Sequence, residues 1–182
     1  EIFLDKVLGR GGMGAVYQGR QVSLDRPAAI KVLKKELIEN PEFVKRFHRE
    51  AALLARLVDS HVVQVFGAGE AEGEHFYAME YVEGEDFSQR LRGGYRFTTD
   101  EVLEVALNVG LALQAAWKHR IVHRDIKPSN IIQTKEGEIK VMDFGLAKNP
   151  ESDLTQSEVI MGTAKYMSPE QATGGECDIR SD

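Results

Sequence analysis

The sequence holds one cysteine, one tryptophan and five prolines in 182 residues. A single cysteine cannot close an internal disulfide, so the chain is not a small stapled scaffold of the secreted kind. Excess positive charge is also lacking: 23 Lys+Arg against 29 Asp+Glu leave a net charge of −6. That balance argues against a protein that coats nucleic acid, which needs a basic footprint. No long hydrophobic run is present either. The most apolar helical stretch, Val102 to Trp117, is interrupted by Glu104, Asn108 and Gln114, so it reads as neither a membrane span nor a signal peptide. There is no internal repeat and no low-complexity tract. Hydrophobic residues at 42% and charged residues at 29% are ordinary globular values and exclude wholesale disorder. The length suits one domain or two small lobes and can bury a core.

What is present divides in two. The first part reads as short strands: Phe3 to Leu8 and Ala15 to Val22 around a glycine cluster, then Ala28 to Leu33, Val62 to Phe66 and His75 to Val82. The acidic, glycine-containing segment Gly67 to Glu74 reads as the turn between the last two. A helix is expected over Pro41 to Leu57, with Asn40 as N-cap and Pro41 at its first position. After a hinge near Tyr81 to Gly84 the pattern becomes helical. A short helix over Phe87 to Leu91 precedes Gly93-Gly94, and a long one runs from Thr99 to Lys118. Asp100 and Glu101 favour its N-terminus, and Val102, Val105, Val109, Leu113 and Trp117 recur at helical spacing. A polar loop, a hairpin (Ile131-Ile132, a turn at Glu136-Gly137, Ile139 to Met142) and a hydroxyl-rich loop to about Ser168 follow.

Several groups carry chemistry. In Gly9-Arg10-Gly11-Gly12-Met13-Gly14-Ala15-Val16 the glycines let backbone N–H groups approach a phosphate. Alone the pattern is weak: a plain hairpin turn shares it, and so do dinucleotide-binding folds, in which the glycines open a helix. Here a strand follows, which disfavours the dinucleotide reading. Lys31 lies in an apolar strand, where it must reach water at an edge or meet an anion. On the first helix Phe43, Phe47, Leu54 and Leu57 set a phase that position 50 completes, so Glu50 lies on the inward stripe. A carboxylate there needs a cation unless it sits at the edge of the stripe, and Lys31 is the natural candidate. His123-Arg124-Asp125-Ile126-Lys127-Pro128-Ser129-Asn130 packs acid, cations and an amide into one loop. Such a loop can orient a hydroxyl, neutralise a phosphate and hold a metal. Asp143-Phe144-Gly145 closes the hairpin with a carboxylate suited to Mg²⁺. The remaining histidines, His48, His61, His75 and His119, show no clustered ligand spacing for zinc, and Cys177 reads as a bystander thiol.

Taken in order, these elements resemble the signature of the protein kinases, with Ser168-Pro169-Glu170 closing the activation segment. The resemblance covers nearly the whole chain. Gly9 to Val16, Gly162 to Ala172 and Asp178 to Asp182 are most similar to the eukaryotic-like bacterial serine/threonine kinases. It implies an α+β, two-lobed fold: a five-stranded antiparallel N-lobe sheet with one helix over residues 1–82, and an incomplete, mainly helical C-lobe over 83–182. It implies transfer of the ATP γ-phosphate to Ser/Thr hydroxyls of proteins, with a non-catalytic ATP-binding scaffold or an inactive fragment as the alternative.

Residue by residue, the resemblance implies that Leu8, Gly9, Gly11, Gly12, Met13, Gly14 and Val16 cover ATP. Lys31 would bind its α- and β-phosphates while Glu50 holds that lysine. Ala29 and Ile132 would sandwich the adenine, Met79 would be the gatekeeper, and the Glu80 and Val82 backbone would meet the adenine edge. Asp86, in competition with Glu85, would reach the ribose. Asp125 would take or orient the substrate proton, Lys127 would neutralise the γ-phosphate, and Asn130 and Asp143 would hold two Mg²⁺ ions. Leu54, His123 and Phe144, with Val65, would form an apolar stack. Arg124, with Arg46 and Lys148, implies switching by phosphorylation at Thr155 and Ser157, through possible self-association. Ser152 reads as solvated, and Thr163 as a contact of Asp125 and Lys127. Asp182 is where the family has an Asp that braces the catalytic loop. The rest of the second lobe is expected beyond it, so the chain alone is expected to be unstable or poorly active. A cytoplasmic location is expected, with any membrane anchor outside this segment.

Overall fold

The computed structural model describes residues 2–144 and 164–182. They form two units. The first takes residues up to Val58 together with Gln64–Val82, and the second takes Asp59–Val63 with the described residues from Glu83 onward.

In the first unit five strands, β1 (Ile2–Arg10), β2 (Gly14–Gln21), β3 (Arg26–Leu33), β4 (Val65–Ala71) and β5 (Glu74–Glu80), form one antiparallel sheet in the order β1-β2-β3-β5-β4. The period of two along β3 divides its side chains between faces. Ala28, Ile30 and Val32 join Ala78, Phe66 and Phe76 in one apolar cluster. Ala29, Lys31 and Leu33 take the other face, where Lys31 stands opposite Tyr77 and Ala29 opposite Met79.

That second face is covered by α2 (Pro41–Leu54). Its entry follows the expected cap: Asn40 Oδ1 accepts from the N–H groups of Glu42 (3.1 Å) and Phe43 (3.2 Å), satisfying two donors that the first turn leaves without intrahelical partners. Phe47, Ala51 and Leu54 are buried, and the Phe47 ring lies 5.5 Å from that of Tyr77. Two readings need correction. The first unit has two helices rather than one, because a single turn, α1 (Lys35–Ile38), precedes α2. The strand expected over Val62 to Phe66 begins at Val65 and runs on through Gly67 to Ala71. The reversal is confined to Glu72 and Gly73, both at positive φ (53° and 77°). Small residues hid this strand, since pairing with β5 rather than its own propensity defines it.

In the second unit β6 (Gly84–Asp86), β7 (Ile131–Thr134) and β8 (Ile139–Val141) form a small antiparallel sheet. This sheet adds to the mainly helical lobe that was expected. Val62 pairs in parallel with Val141: the Val141 N–H donates to the His61 carbonyl (2.7 Å) and the Val63 N–H to that of Val141 (2.9 Å). Those bonds draw residues 59–63 into this unit. Two helices follow β6: α3 (Phe87–Arg92), capped by Asp86 with Gln89, and α4 (Thr99–Lys118), capped by Thr98 with Glu101. α4 packs on β8. Its buried residues are Val109, which belongs to the expected stripe, with Ala112, Ala115 and Ala116; Val105, Leu113 and Trp117 are half-buried and Val102 is exposed. Alanines let a helix approach a strand closely, so the packed face follows size as well as hydrophobicity. A last short helix, α5 (Pro169–Ala172), is capped by Ser168 with Gln171. No helix among the described residues is long and apolar enough to cross a membrane.

Candidate functional site

The glycine cluster spans the β1–β2 reversal. The Gly11 N–H donates to the Gly14 carbonyl (2.8 Å), and the Lys34 N–H to that of Met13 (3.0 Å). The glycines are not equivalent. A Cβ on Gly9, Gly11 or Gly12 would meet nothing within 4 Å, whereas one on Gly14 would lie 1.9 Å from the Val32 carbonyl oxygen. Gly14 is therefore required by the sheet, and the others leave open space at the tip. Leu8 is exposed and Val16 half-buried beside this turn.

Lys31 shares its sheet face with Tyr77, its Nζ lying 5.8 Å from the ring centroid. Glu50 lies one turn beyond Phe47, the residue that seats α2 on Tyr77, and is half-buried. The cation and the carboxylate thus belong to the same helix–sheet seam of the first unit. Met79 is buried, opposite Ala29 and Val65. The Glu80 N–H donates to the Gln64 carbonyl (2.8 Å), and the Glu80 carboxylate accepts from the Gln64 N–H (3.2 Å). Leu54 and Val65 are both buried in this unit.

The catalytic-loop candidate in the second unit is held from several sides. His123 is fully buried. Its Nδ1 accepts from the Asp125 N–H (3.1 Å), so the ring proton sits on Nε2 and faces the Met142 carbonyl (3.0 Å). Burial holds its pKa below the ordinary histidine value, against the opposing pull of the Met142 carbonyl and of Asp182, Asp125 and Asp143. The ring is also 4.5 Å from that of Phe144. Asp125 Oδ2 accepts from Lys127 Nζ (2.9 Å) and from Asn130 Nδ2 (3.1 Å), and the same nitrogen donates to the Asp125 carbonyl (2.8 Å). The Lys127–Asp125 pair is largely withdrawn from water, at 24% and 10% side-chain exposure. Asn130, itself buried, accepts from the Met142 N–H through its backbone carbonyl (2.9 Å), which ties the loop to the strand leading into Asp143.

Two backbone positions are strained. Arg124 and Asp143 have φ of 65° and 57°, a region that costs a non-glycine residue about 1–3 kcal/mol and persists only where the surroundings enforce it. At Arg124 the enforcement is visible. Asp182 accepts from the N–H groups of His123 and Arg124, at 2.6 Å each, and Gln171 Nε2 donates to the Arg124 carbonyl (3.0 Å). Asp182 was expected in this bracing role. Gln171 was not singled out, although Ser168-x-x-Gln171 is a legible capping-box pattern.

Matched against known families, the chain fits the protein kinase domain over residues 3–182. The chain belongs to the protein kinase family. It is 40% identical over 186 residues to a probable serine/threonine-protein kinase of Streptomyces coelicolor, covering 98% of this chain and 28% of that protein. It is 38% identical, again over 186 residues, to the serine/threonine-protein kinase PknB of Mycolicibacterium smegmatis, covering 98% and 30%. This kinase chain therefore spans under a third of the length of those relatives. The crystal structure of the Mycobacterium tuberculosis PknI kinase domain matches all of this chain and 68% of its own, with a TM-score of 0.80 and 31% identity.

Other expected positions fall differently. Asp86 Oδ1 accepts from the Gln89 N–H (2.8 Å) as the cap of α3, so this carboxylate already has a structural task beside any ribose contact. Ile132 lies opposite Lys140 and Asp86 in the small sheet. Arg46 lies 5.3 Å from the Phe43 ring. Cys177 is half-buried, its thiol 3.6 Å from the Gly175 carbonyl. Gly145, Lys148, Ser152, Thr155, Ser157, Gly162 and Thr163 lie outside the described residues.

Proposed function

We propose that the protein is an ATP- and Mg²⁺-dependent serine/threonine kinase that transfers the γ-phosphate to hydroxyls of protein substrates. The observation that carries this reading is the Asp125–Lys127–Asn130 constellation. An acceptor carboxylate, a cation and an amide meet in one loop, with the carboxylate oriented by two donors. Asp125 takes or orients the proton of the attacking hydroxyl. Lys127, 2.9 Å from it, offsets the charge that gathers on the transferred group. Such a reaction has a loose, highly charged transition state, so positioning and electrostatics supply most of the rate.

In the first unit the open glycines of the β1–β2 turn leave room for phosphates. Lys31 anchors them, held by Glu50 across the helix–sheet seam. Leu8, Val16, Ala29 and Met79 serve the adenine, with the backbone of Glu80 and Val82 at its edge.

Among the described residues no group of three or more His, Cys, Asp or Glu could hold a metal. The oxygen pair Asn130 and Asp143 still fits Mg²⁺, which binds few protein oxygens and completes its shell with phosphate and water. The Asn130 amide nitrogen is committed to Asp125, so its side-chain oxygen would be the ligand atom. Asn130 and Asp143 would hold Mg²⁺, and the chemistry supplied there would be neutralisation of phosphate charge.

We further propose a cytoplasmic catalytic unit and activation by phosphorylation at Thr155 and Ser157, which would bring a charge of about −1.5 to −2 into a cationic surround. Self-association would let one copy modify another. The test is γ-phosphate transfer by the complete protein to a generic basic protein, with Asp125→Asn alongside. A kcat loss on the order of 10²- to 10⁴-fold is expected for the variant. ATP binding with no transfer above the variant would leave a nucleotide-binding scaffold instead.

A further inference from the structure

The peptide that joins Arg124 to Asp125 is gripped at both edges. On one edge the Asp125 N–H donates to His123 Nδ1 (3.1 Å). On the other the Arg124 carbonyl accepts from Gln171 Nε2 (3.0 Å). This is the peptide plane that launches the Asp125 side chain, and it follows a residue whose φ is 65°. Asp182 holds the preceding N–H groups of His123 and Arg124, but it touches neither edge of the Arg124–Asp125 peptide. The Gln171 contact is therefore not a duplicate of the Asp182 brace.

Gln171 has a second partner. Its Oε1 accepts from the Ser168 N–H (2.9 Å) in the capping box that opens α5. One amide group thus links the start of α5 to the backbone beside Asp125, across 47 residues of sequence. A primary amide suits this place because it carries a donor and an acceptor on one planar group.

We propose that Gln171 is a positioning residue for phosphoryl transfer. Its amide nitrogen fixes the Arg124–Asp125 peptide and thereby steadies the aim of the Asp125 carboxylate. The inference rests on the kinase reading above. It assigns Gln171 no contact with ATP or substrate, and predicts an effect on the chemical step rather than on nucleotide affinity.

Two reciprocal variants of the complete protein separate the halves of the amide. Gln171→Glu keeps an acceptor for Ser168 and loses the donor to Arg124. Gln171→Lys keeps a donor and loses the acceptor. Both replacements have nearly the helix propensity of glutamine. Gln171→Glu is expected to lower kcat about tenfold, the loss of one hydrogen bond worth of orientation. Its KM for ATP should stay unchanged, and amide hydrogen exchange should quicken at Asp125. Gln171→Lys is expected to keep most of the wild-type kcat and the slow exchange. Wild-type kcat and exchange in Gln171→Glu would overturn the proposal. So would an equal or larger loss in Gln171→Lys, which would reduce Gln171 to a helix cap. If the wild-type protein transfers no phosphate the kinase reading fails, while the exchange comparison at Asp125 still decides whether the tie exists.

Discussion

The glycine-rich turn and the catalytic loop are built on opposite terms. At the tip of the β1–β2 turn, Gly9, Gly11 and Gly12 have no atom within reach of an added Cβ, and Leu8 beside them is exposed. Its base is held by the β1–β2 ladder at Gly9 and Arg10 and by two further backbone bonds. The catalytic loop instead has a fully buried histidine, a buried asparagine and a strained arginine, held by the side chains of Asp182 and Gln171 and by the Met142 carbonyl. The first arrangement leaves open space beside its backbone. The second is fixed by contacts that exist without any ligand, as the proposed phosphoryl transfer would require of a carboxylate that takes or orients a proton.

The largest effect on that contrast should come from Asp182→Ala. Two N–H groups lose a charged acceptor at 2.6 Å, which is worth about 2–3 kcal/mol of local order. Because a misplacement of about 1 Å near the reacting groups costs roughly 10²-fold, kcat should fall by that order while ATP affinity changes little. Steady-state kinetics with a direct nucleotide-binding measurement check this. A loss of affinity equal to the loss of turnover would mean that the loop is not preorganised independently of nucleotide.

A smaller effect separates two glycines within the other region. Gly14→Ala puts a methyl group 1.9 Å from the Val32 carbonyl, so β2 and β3 must part; the expected cost is about 1–3 kcal/mol. Gly12→Ala enters open space at unexceptional φ and should change stability by less than about 0.5 kcal/mol, while raising the KM for ATP. Urea midpoints measured beside ATP titrations decide it. Equal destabilisation would show that the tip is as constrained as the base.

The same contrast explains what could be read before the fold was known. Capped elements were legible because their signals are local: Asn40 before Pro41, and Asp100 and Glu101 in the first turn of α4, mark where helices begin. The catalytic loop was legible because its chemistry is concentrated in eight consecutive residues. β4 was misjudged because its strand character comes from pairing with β5. The packed seam of α4 was only partly legible: Val109 was in the expected stripe, but the alanines beside it carry little hydrophobic signal even though they pack toward β8. The Gln171 tie was invisible for another reason: nothing at residue 171 announces a partner 47 positions earlier.

The smallest expected effect concerns two histidines, one in each region's unit. His123 underlies the catalytic loop, and His48 lies in the α2–sheet seam with its Nε2 3.0 Å from His75 Nδ1. Burial lowers the pKa of His48, the nearby His75 lowers it further, and Glu70 opposes both. Burial also lowers that of His123. A histidine whose folded pKa lies below its unfolded value of about 6.5 binds fewer protons in the native state. Its contribution to stability is complete above pH 6.5 and is lost as pH falls through the folded pKa. Acidifying from pH 7.5 to 5.5 should therefore lower the urea midpoint. His48→Gln should make that decline shallower, because glutamine cannot take up the proton. His123 still contributes in the variant, so some slope must remain. An unchanged slope in His48→Gln would show that His48 is not a source of the acid sensitivity.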